Sequence, residues 1–328
     1  MPLYKDLRPS RVEDIIGQDE VIREVTTVIN RCKATGETLP DMLFEGPPGV
    51  GKTTLALAVI RLWYGDSYRS SYIELNASDD RGIDVVRDRI KPITMIRGHR
   101  TVLIDEGDKM TEDAQMAFRR IMETSKSTNF IITANEPWRI IEPIQSRCAI
   151  FNFRPLSTRD MQRVIVSVCR EKGINFETTS VEEQRQLRDG LEALVKEGHG
   201  DVRKSLNILE KVISERKTIS VKDVVKYSQP NLIPQILKTA LAGDIEKAIQ
   251  QFEDAFILSK YNTSEMIISF YTTIRTEVLD PELKARLLLE LARTEDRIRH
   301  GNNPLIQFGA FCAFLWVSPH LKGVIHTS

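Results

Sequence analysis

In the first half of the chain, apolar residues gather in short, dense runs: Asp41–Phe44, Tyr72–Leu75, Thr101–Ile104, Phe130–Thr133 and Ala149–Phe153. Each run is four or five residues long, partly β-branched or aromatic, and lacks polar alternation. A strand with apolar side chains on both faces must be buried on both, as inner strands of parallel sheets are. Between the runs lie longer segments with helical spacing: Asp19–Thr35, Lys52–Leu62, Asp84–Ile93 and Ala114–Ser125. Strands alternating with helices predict right-handed crossovers and a three-layer α/β fold around a parallel sheet.

The alternation stops near Pro155. Beyond it the apolar spacing is helical throughout, and Thr158–Lys172, Ser180–Glu197, Val202–Ser214 and Val221–Tyr227 read as four helices. Gln229-Pro230 and Pro234 break the pattern. Residues 235–316 are helical again, with interruptions at Gly243-Asp244, Asp280-Pro281 and Gly301-Asn302-Asn303-Pro304. The expected organisation is an α/β core over 1–155, a small helical domain over 156–230 and an all-helical domain over 231–328.

Composition narrows the function classes. The chain has 328 residues, with 46 Lys+Arg against 46 Asp+Glu. A neutral protein does not coat nucleic acid with its whole surface, so any such contact must be a local patch or one built jointly by several subunits. Cys32, Cys148, Cys169 and Cys312 form no C-x-x-C pair. A zinc ribbon, a redox dithiol and a disulfide framework are therefore not expected, and a reducing compartment is. The longest apolar run, Phe308–Trp316, is about nine residues, against the roughly 20 that span a bilayer. Met1–Arg11 has charges and prolines but no apolar signal core.

The chemistry concentrates after the first strand. Gly46-Pro47-Pro48-Gly49-Val50-Gly51-Lys52-Thr53 fits G-x-x-x-x-G-K-[ST] and opens a predicted helix, the context that gives this motif meaning. Its glycines turn backbone N–H groups toward a β-phosphate, and the helix start adds positive potential. Lys52 reaches β- and γ-phosphates, Thr53 can ligate Mg²⁺, and Thr54 continues the nucleotide contact. The run Thr101-Val102-Leu103-Ile104 ends in Asp105-Glu106. Asp105 is the expected second Mg²⁺ ligand, directly or through water. Glu106 would polarise the attacking water, as a general base or as a positioner. Asn135, at the tip of Asn129–Asn135, can hydrogen-bond the water or the γ-phosphate.

With these residues the chain resembles the small-subunit family of replication factor C, the clamp loader of archaea and eukaryotes. The resemblance covers almost the whole chain. It is carried by Leu7-Arg8-Pro9 with Ile15-Ile16-Gly17-Gln18, and by Leu75-Asn76-Ala77-Ser78-Asp79-Asp80-Arg81-Gly82-Ile83-Asp84-Val85-Val86-Arg87. It is carried also by Ile140-Ile141-Glu142-Pro143-Ile144-Gln145-Ser146-Arg147-Cys148 and by Gly200-Asp201-Val202-Arg203-Lys204-Ser205-Leu206-Asn207. It implies an AAA+ ATPase core, a helical lid and a helical collar that serves oligomerisation. Arg8, Pro9, Ile16 and Gly17 would line the adenine side of the ATP site. Asn135 would be the sensor-1 residue, and Arg203 a sensor-2 residue folding over the γ-phosphate. Arg147 would be an arginine finger acting on the neighbouring subunit's ATP. One departure stands in the second carboxylate motif: Asp105-Glu106-Gly107-Asp108 replaces the family's usual Asp-Glu-Ala-Asp.

The segment Arg81–Arg100 holds six basic residues against two acidic ones. The resemblance turns this patch toward DNA in a central channel, with Arg81, Arg87 and Lys91 as the contacts. No aromatics are interleaved for base stacking, so the expected contact follows the backbone without reading sequence. Arg119 and Arg120 fit either DNA or an adjacent subunit. The implied function is ATP-driven opening of a sliding clamp and its loading onto primer–template DNA. The implied partners are one large and several small subunits in a pentameric ring, cytoplasmic in an archaeon and nuclear in a eukaryote. Two alternatives stand beside it. One is another AAA+ motor, of branch-migration or bacterial clamp-loader type, although the latter usually carries a zinc module. The other is a non-catalytic scaffold subunit, against which intact Lys52, Thr53, Asp105, Glu106 and Arg147 argue.

Overall fold

The computed structural model describes residues 3–79, 81–96, 98–125, 127–173, 181–215, 219, 233–259, 263–277 and 279–317. The expected helix Val221–Tyr227, the break at Gln229-Pro230, and Asp80 and Arg97 of the basic segment lie outside the described residues. The chain divides into two compact units, residues 1–228 and 229–328.

In the first unit, β1 (Met42–Glu45), β2 (Tyr72–Asn76), β3 (Arg100–Asp105), β4 (Thr128–Ala134) and β5 (Ala149–Asn152) form one parallel sheet in the order β2-β3-β4-β1-β5. The unalternating apolar runs have a direct cause. Met42, Phe44, Leu103, Ile131 and Phe151 bury on one face, while Leu43, Val102, Ile104, Phe130 and Ile132 bury on the other. Phe44 meets Phe151 edge-on at 5.5 Å, and Phe118 meets Phe130 likewise at 4.9 Å. Such pairs add to area burial because ring edges carry positive potential and faces negative.

After the N-terminal α1 (Leu3–Asp6), helices cover both faces of the sheet: α2 (Asp19–Thr35), α3 (Lys52–Tyr64), α4 (Tyr68–Ser71), α5 (Lys91–Thr94), α6 (Glu112–Thr124) and α7 (Glu142–Gln145). Helix α2 buries Val21, Val25, Ile29 and Cys32, one stripe at helical spacing. The Thr111 hydroxyl caps α6 by accepting from Ala114 N. Two local details depart from the sequence pattern. Asp41 lies just outside β1, where its carboxylate accepts from Phe130 N at 2.8 Å; burial pushes its pKa up to about 6. The predicted helix Asp84–Ile93 is π-helical over Val85–Ile90 before α5 continues it.

Helices α8 (Thr158–Glu171), α9 (Val181–Gly198) and α10 (Val202–Glu215) share a separate core of Met161, Ile165, Cys169, Leu194, Leu209 and Val212, against which Tyr4 and Leu7 pack. The second unit contains α11 (Ile233–Leu241), α12 (Ile245–Ser259), α13 (Thr263–Thr276), α14 (Pro281–Arg299) and α15 (Pro304–Val317). Its core is aromatic: Phe252, Phe270, Phe308 and Phe311 are fully buried, while Phe256 and Phe314 pack half-buried at the margin. The Asp280-Pro281 interruption is a helix start, with the Asp280 carboxylate accepting from Glu282 N and Leu283 N. The four cysteines are free thiols. Among the described residues no helix is long and apolar enough to cross a membrane.

Candidate functional site

The strand order creates the site. Because β4 lies between β1 and β3, the C-terminal ends of these three strands meet, and polar residues stand at or beside each end. The loop after β1 leads into α3, β3 delivers Asp105-Glu106, and β4 delivers Thr133 and Asn135. Ligands in open α/β sheets collect at this edge. A cavity of about 640 Å³ opens there, lined by Pro48–Thr54, Asp105, Glu106, Thr133 and Asn135 from the core. Leu156 just before α8, Val164 and Val168 on α8, and Arg203 and Leu206 on α10 close it from one side, and Tyr4, Arg8, Pro9, Ile15 and Ile16 from the N-terminal segment.

Lys52 is 6% exposed, and its ammonium donates to Gly46 O (2.7 Å), Pro47 O (2.6 Å) and Asn135 Oδ1 (2.7 Å). Burial pulls its pKa down to about 8, against the pull of the Asp105 and Asp108 carboxylates. No side chain caps α3, whose first-turn N–H groups therefore face the cavity as an anion site. Gly49 has φ +71, and an added Cβ would lie 1.7 Å from Asp201 Oδ1. Neither a left-handed backbone nor that contact admits a side chain.

Asp105 Oδ1 accepts from Thr53 Oγ1 (2.7 Å) and from Thr133 Oγ1 (2.6 Å). Thr133 Oγ1 in turn accepts from Glu106 N at 3.0 Å. Glu106 has φ +56, an uncommon conformation for a side chain of this size. It turns the carboxylate toward Ser78, whose hydroxyl donates to Glu106 Oε2. Asp108 is buried and accepts from Asn135 N at 2.9 Å. Gly107 is explained by its neighbour: a Cβ would lie 2.6 Å from Ile132 Cγ2, so the methyl of Ile132 fills the space an alanine would need.

The expected site residues therefore fall into groups. Pro48 to Thr54, Asp105, Glu106, Asn135, Arg203, Arg8, Pro9 and Ile16 share the cavity; Gly46 and Pro47 hold Lys52 from beside it. Gly17 stands back, against Leu156 and Asp160. Its neighbour Gln18 donates to Arg154 O (2.6 Å) and accepts from Arg154 N (3.2 Å), tying the N-terminal segment to the end of β5. Arg203 lies over the Tyr4 ring at 5.3 Å. Arg8 Nε is buried without a hydrogen-bond partner among the described residues. Arg147 is not in its own chain's cavity. It is exposed, and its guanidinium bonds Glu123 Oε1 at 2.9 Å, the oxygen that also takes Arg119 Nε at 2.9 Å.

Arg81, Arg87 and Lys91 are exposed, while Val86, Ile90 and Ile93 turn into the core. Sequence reasoning missed Thr133, Ser78 and Asp108. Thr133 and Asp108 stood within motifs already singled out, beside Asn135 and Glu106, but only the strand register shows what they bond.

A family model described as the ATPase family associated with various cellular activities matches residues 42–156, and one described as the replication factor C C-terminal domain matches residues 228–314. The chain is similar to the replication factor C small subunit of Archaeoglobus fulgidus, 34% identical over 94% of this chain and 95% of that protein. It is 35% identical to the Methanocella arvoryzae replication factor C small subunit, over 93% of each. Among solved structures, the RuvB Holliday junction branch migration motor of Thermotoga maritima superposes with TM-score 0.57 at 18% identity, covering 71% of this chain and 78% of that one. A variant of the same RuvB gives TM-score 0.59 at 17% identity, covering 80% and 90%. That likeness is one of fold.

Proposed function

Since the chain belongs to the replication factor C small-subunit family and is thereby an AAA+ ATPase subunit of a clamp loader in DNA replication, we propose that its cavity binds and hydrolyses ATP to drive the opening and release of a sliding clamp. The observation that carries this reading is the meeting of Lys52, Thr53, Asp105, Glu106, Asn135 and Arg203 on one cavity at adjoining strand ends. In the chain's division of labour, 1–155 is the ATP-binding core, 156–230 the lid and 231–328 the oligomerising collar.

In this reading the residues divide the work as follows. The free N–H groups of the phosphate loop and α3 hold the β-phosphate, and Lys52 moves from its carbonyl acceptors to the β- and γ-phosphates. The N-terminal segment, with Arg8, Pro9 and Ile16, takes the adenine side. Thr53 Oγ1 and Asp105 Oδ1, 2.7 Å apart, are hard oxygen donors that fit Mg²⁺. Among the described residues no three His, Cys, Asp or Glu cluster to hold a metal unaided, so phosphate oxygens and water would complete its shell. Mg²⁺ supplies charge neutralisation on the phosphates. Glu106 orients the attacking water or takes its proton, Asn135 fixes that water or the γ-phosphate, and Arg203 covers it from the lid. Water attacks the γ-phosphorus in line as the bond to ADP breaks.

Glu106→Gln keeps the shape of the site but not the charge that polarises water. The variant complex is expected to bind ATP, hold clamp and DNA, and stall, with turnover lowered by roughly 10²–10⁴-fold. Nucleotide binding and single-turnover hydrolysis measure the two effects separately. Loss of ATP binding would instead give Glu106 a structural role.

The partners in this reading are primer–template DNA, a ring-shaped clamp, and the large and other small subunits of a pentamer. Exposure of Arg81, Arg87 and Lys91 above a buried Val86/Ile90/Ile93 face supports a phosphate-tracking patch. Arg81→Ala with Arg87→Ala should weaken DNA binding about equally across sequences. Each lost phosphate contact should flatten the plot of log affinity against log salt by roughly one unit. ATPase activity without DNA should persist. An unchanged salt slope would remove both residues from the DNA surface.

A further inference from the structure

The start of α10 is built against the phosphate loop, and one half-buried carboxylate lies between them. Asp201 precedes Val202, the first residue of α10, and its Oδ1 accepts from Lys204 N at 3.1 Å, a helix cap. The same oxygen occupies the space that a side chain on Gly49 would need. Val202 N donates to Gly49 O at 3.1 Å, so the next orphan N–H of the helix is satisfied by the loop itself. Behind it, Asp201 N donates to Gly198 O and Leu156 N to Gly200 O, fixing the turn to the beginning of the lid. Burial raises the carboxylate's pKa, and the N–H groups of Lys204 and Arg203 together with the Arg203 charge oppose that rise. A carboxylate is costly to bury unless its oxygens are used, and here the helix start uses them while the loop packs against Oδ1.

Arg203 is the second residue of this helix. Its position relative to the γ-phosphate site is therefore set by how the first turn of α10 sits on Gly49. We propose that Asp201 is a positioning residue for Arg203: by capping α10 against Gly49 it fixes the arginine's starting point over the phosphate loop. The proposal rests on the ATPase reading above and on Arg203 acting at the γ-phosphate. Asp201 touches no reacting atom, and its effect on hydrolysis passes through the arginine. A shift of about 1 Å in such a group can cost on the order of 10²-fold in rate.

The test compares Asp201→Ala, Asp201→Asn, Arg203→Ala and the Asp201→Ala/Arg203→Ala double variant in the assembled complex. Steady-state ATP hydrolysis and equilibrium nucleotide binding are read for each. Asp201→Ala is expected to lower kcat by roughly tenfold or more, with KM for ATP changed far less. Asp201→Asn keeps a capping oxygen and should stay near wild type. The double variant should be no slower than Arg203→Ala, since the cap acts only through the arginine. Should Asp201→Ala fail to fold, Asp201→Gly is read in its place, because glycine is nearly as good a cap residue but supplies no acceptor. Normal kcat in the variant lacking the acceptor, beside a slow Arg203→Ala, overturns the proposal. So does equal damage from Asp201→Asn, which would make charge the agent, or additive losses in the double variant. Normal hydrolysis by Arg203→Ala overturns the reading beneath it instead.

Discussion

Lys52→Ala is expected to abolish ATP hydrolysis. The ammonium is a compact cation buried at the strand ends, within 2.7 Å of Gly46 O, Pro47 O and Asn135 Oδ1. Those acceptors hold it where phosphate oxygens compete for it, and their loss of a partner adds a penalty of about 1–3 kcal/mol for each that stays buried and unsatisfied. Removing a preorganised charge that meets developing negative charge costs roughly 10²–10³-fold in kcat, and weakened binding multiplies the loss. The pH dependence has a definite sign. Burial lowers the lysine's pKa to about 8 in the free protein, and phosphate charge favours the protonated form. Below about 8 the ammonium is already in place. Above it, binding must take up a proton, so ATP affinity should fall as pH rises through that value. Turnover by Lys52→Ala at the wild-type rate would end the assignment. A wild-type affinity independent of pH from about 7 to 9, either side of the lysine's pKa of about 8, would instead show that ATP binding takes up no proton at Lys52.

The sheet was legible because its inner strands β1, β3 and β4 are buried on both faces, whereas the edge strands β2 and β5 are partly exposed, with Ile150 facing solvent. Leu43 and Phe44 point to opposite cores, so the run has no polar alternation to confuse with a half-exposed strand. The phosphate loop and the Asp105-Glu106 tip were legible because their chemistry needs fixed residue types at fixed spacing. What escaped depends on register. That Thr133 joins Asp105 to the Glu106 backbone follows from β4 lying beside β3, which no local pattern states. The Ser78–Glu106 contact spans 28 positions and the Asp201–Gly49 contact spans the whole core. The π-helical turn at Val85–Ile90 has the same apolar spacing that an α-helix would show over so short a length, and so was invisible. In the sequence Gly107 is visible only as a departure from the usual alanine, and its tight approach to Ile132 Cγ2 shows why a side chain does not fit there.

Arg147→Ala is expected to leave its own chain's ATP binding nearly intact and to cut hydrolysis at the neighbouring subunit's site by roughly 10³–10⁵-fold. The geometry motivates the split. Arg147 is absent from its own cavity, exposed, and held by Glu123 through Nη2 alone. An arginine has five donors, and among the described residues only Nη2 of Arg147 is taken, so one edge of the guanidinium can rest on Glu123 while the other meets a partner's phosphate. Mixing two variants separates action across the interface from action within the chain. A Lys52→Ala subunit has a dead site and a sound finger; an Arg147→Ala subunit has a sound site and no finger. Where the first adjoins the ATP of the second, one working interface forms. Mixed rings should therefore hydrolyse ATP that neither homogeneous preparation does, with the rate passing through a maximum as the mixing ratio is varied. Subunit exchange is verified first, by native mass spectrometry of variants of different mass. If exchange is complete, Arg147→Ala alone hydrolyses ATP normally and no ratio exceeds the sum of the two preparations, the finger does not act across the interface.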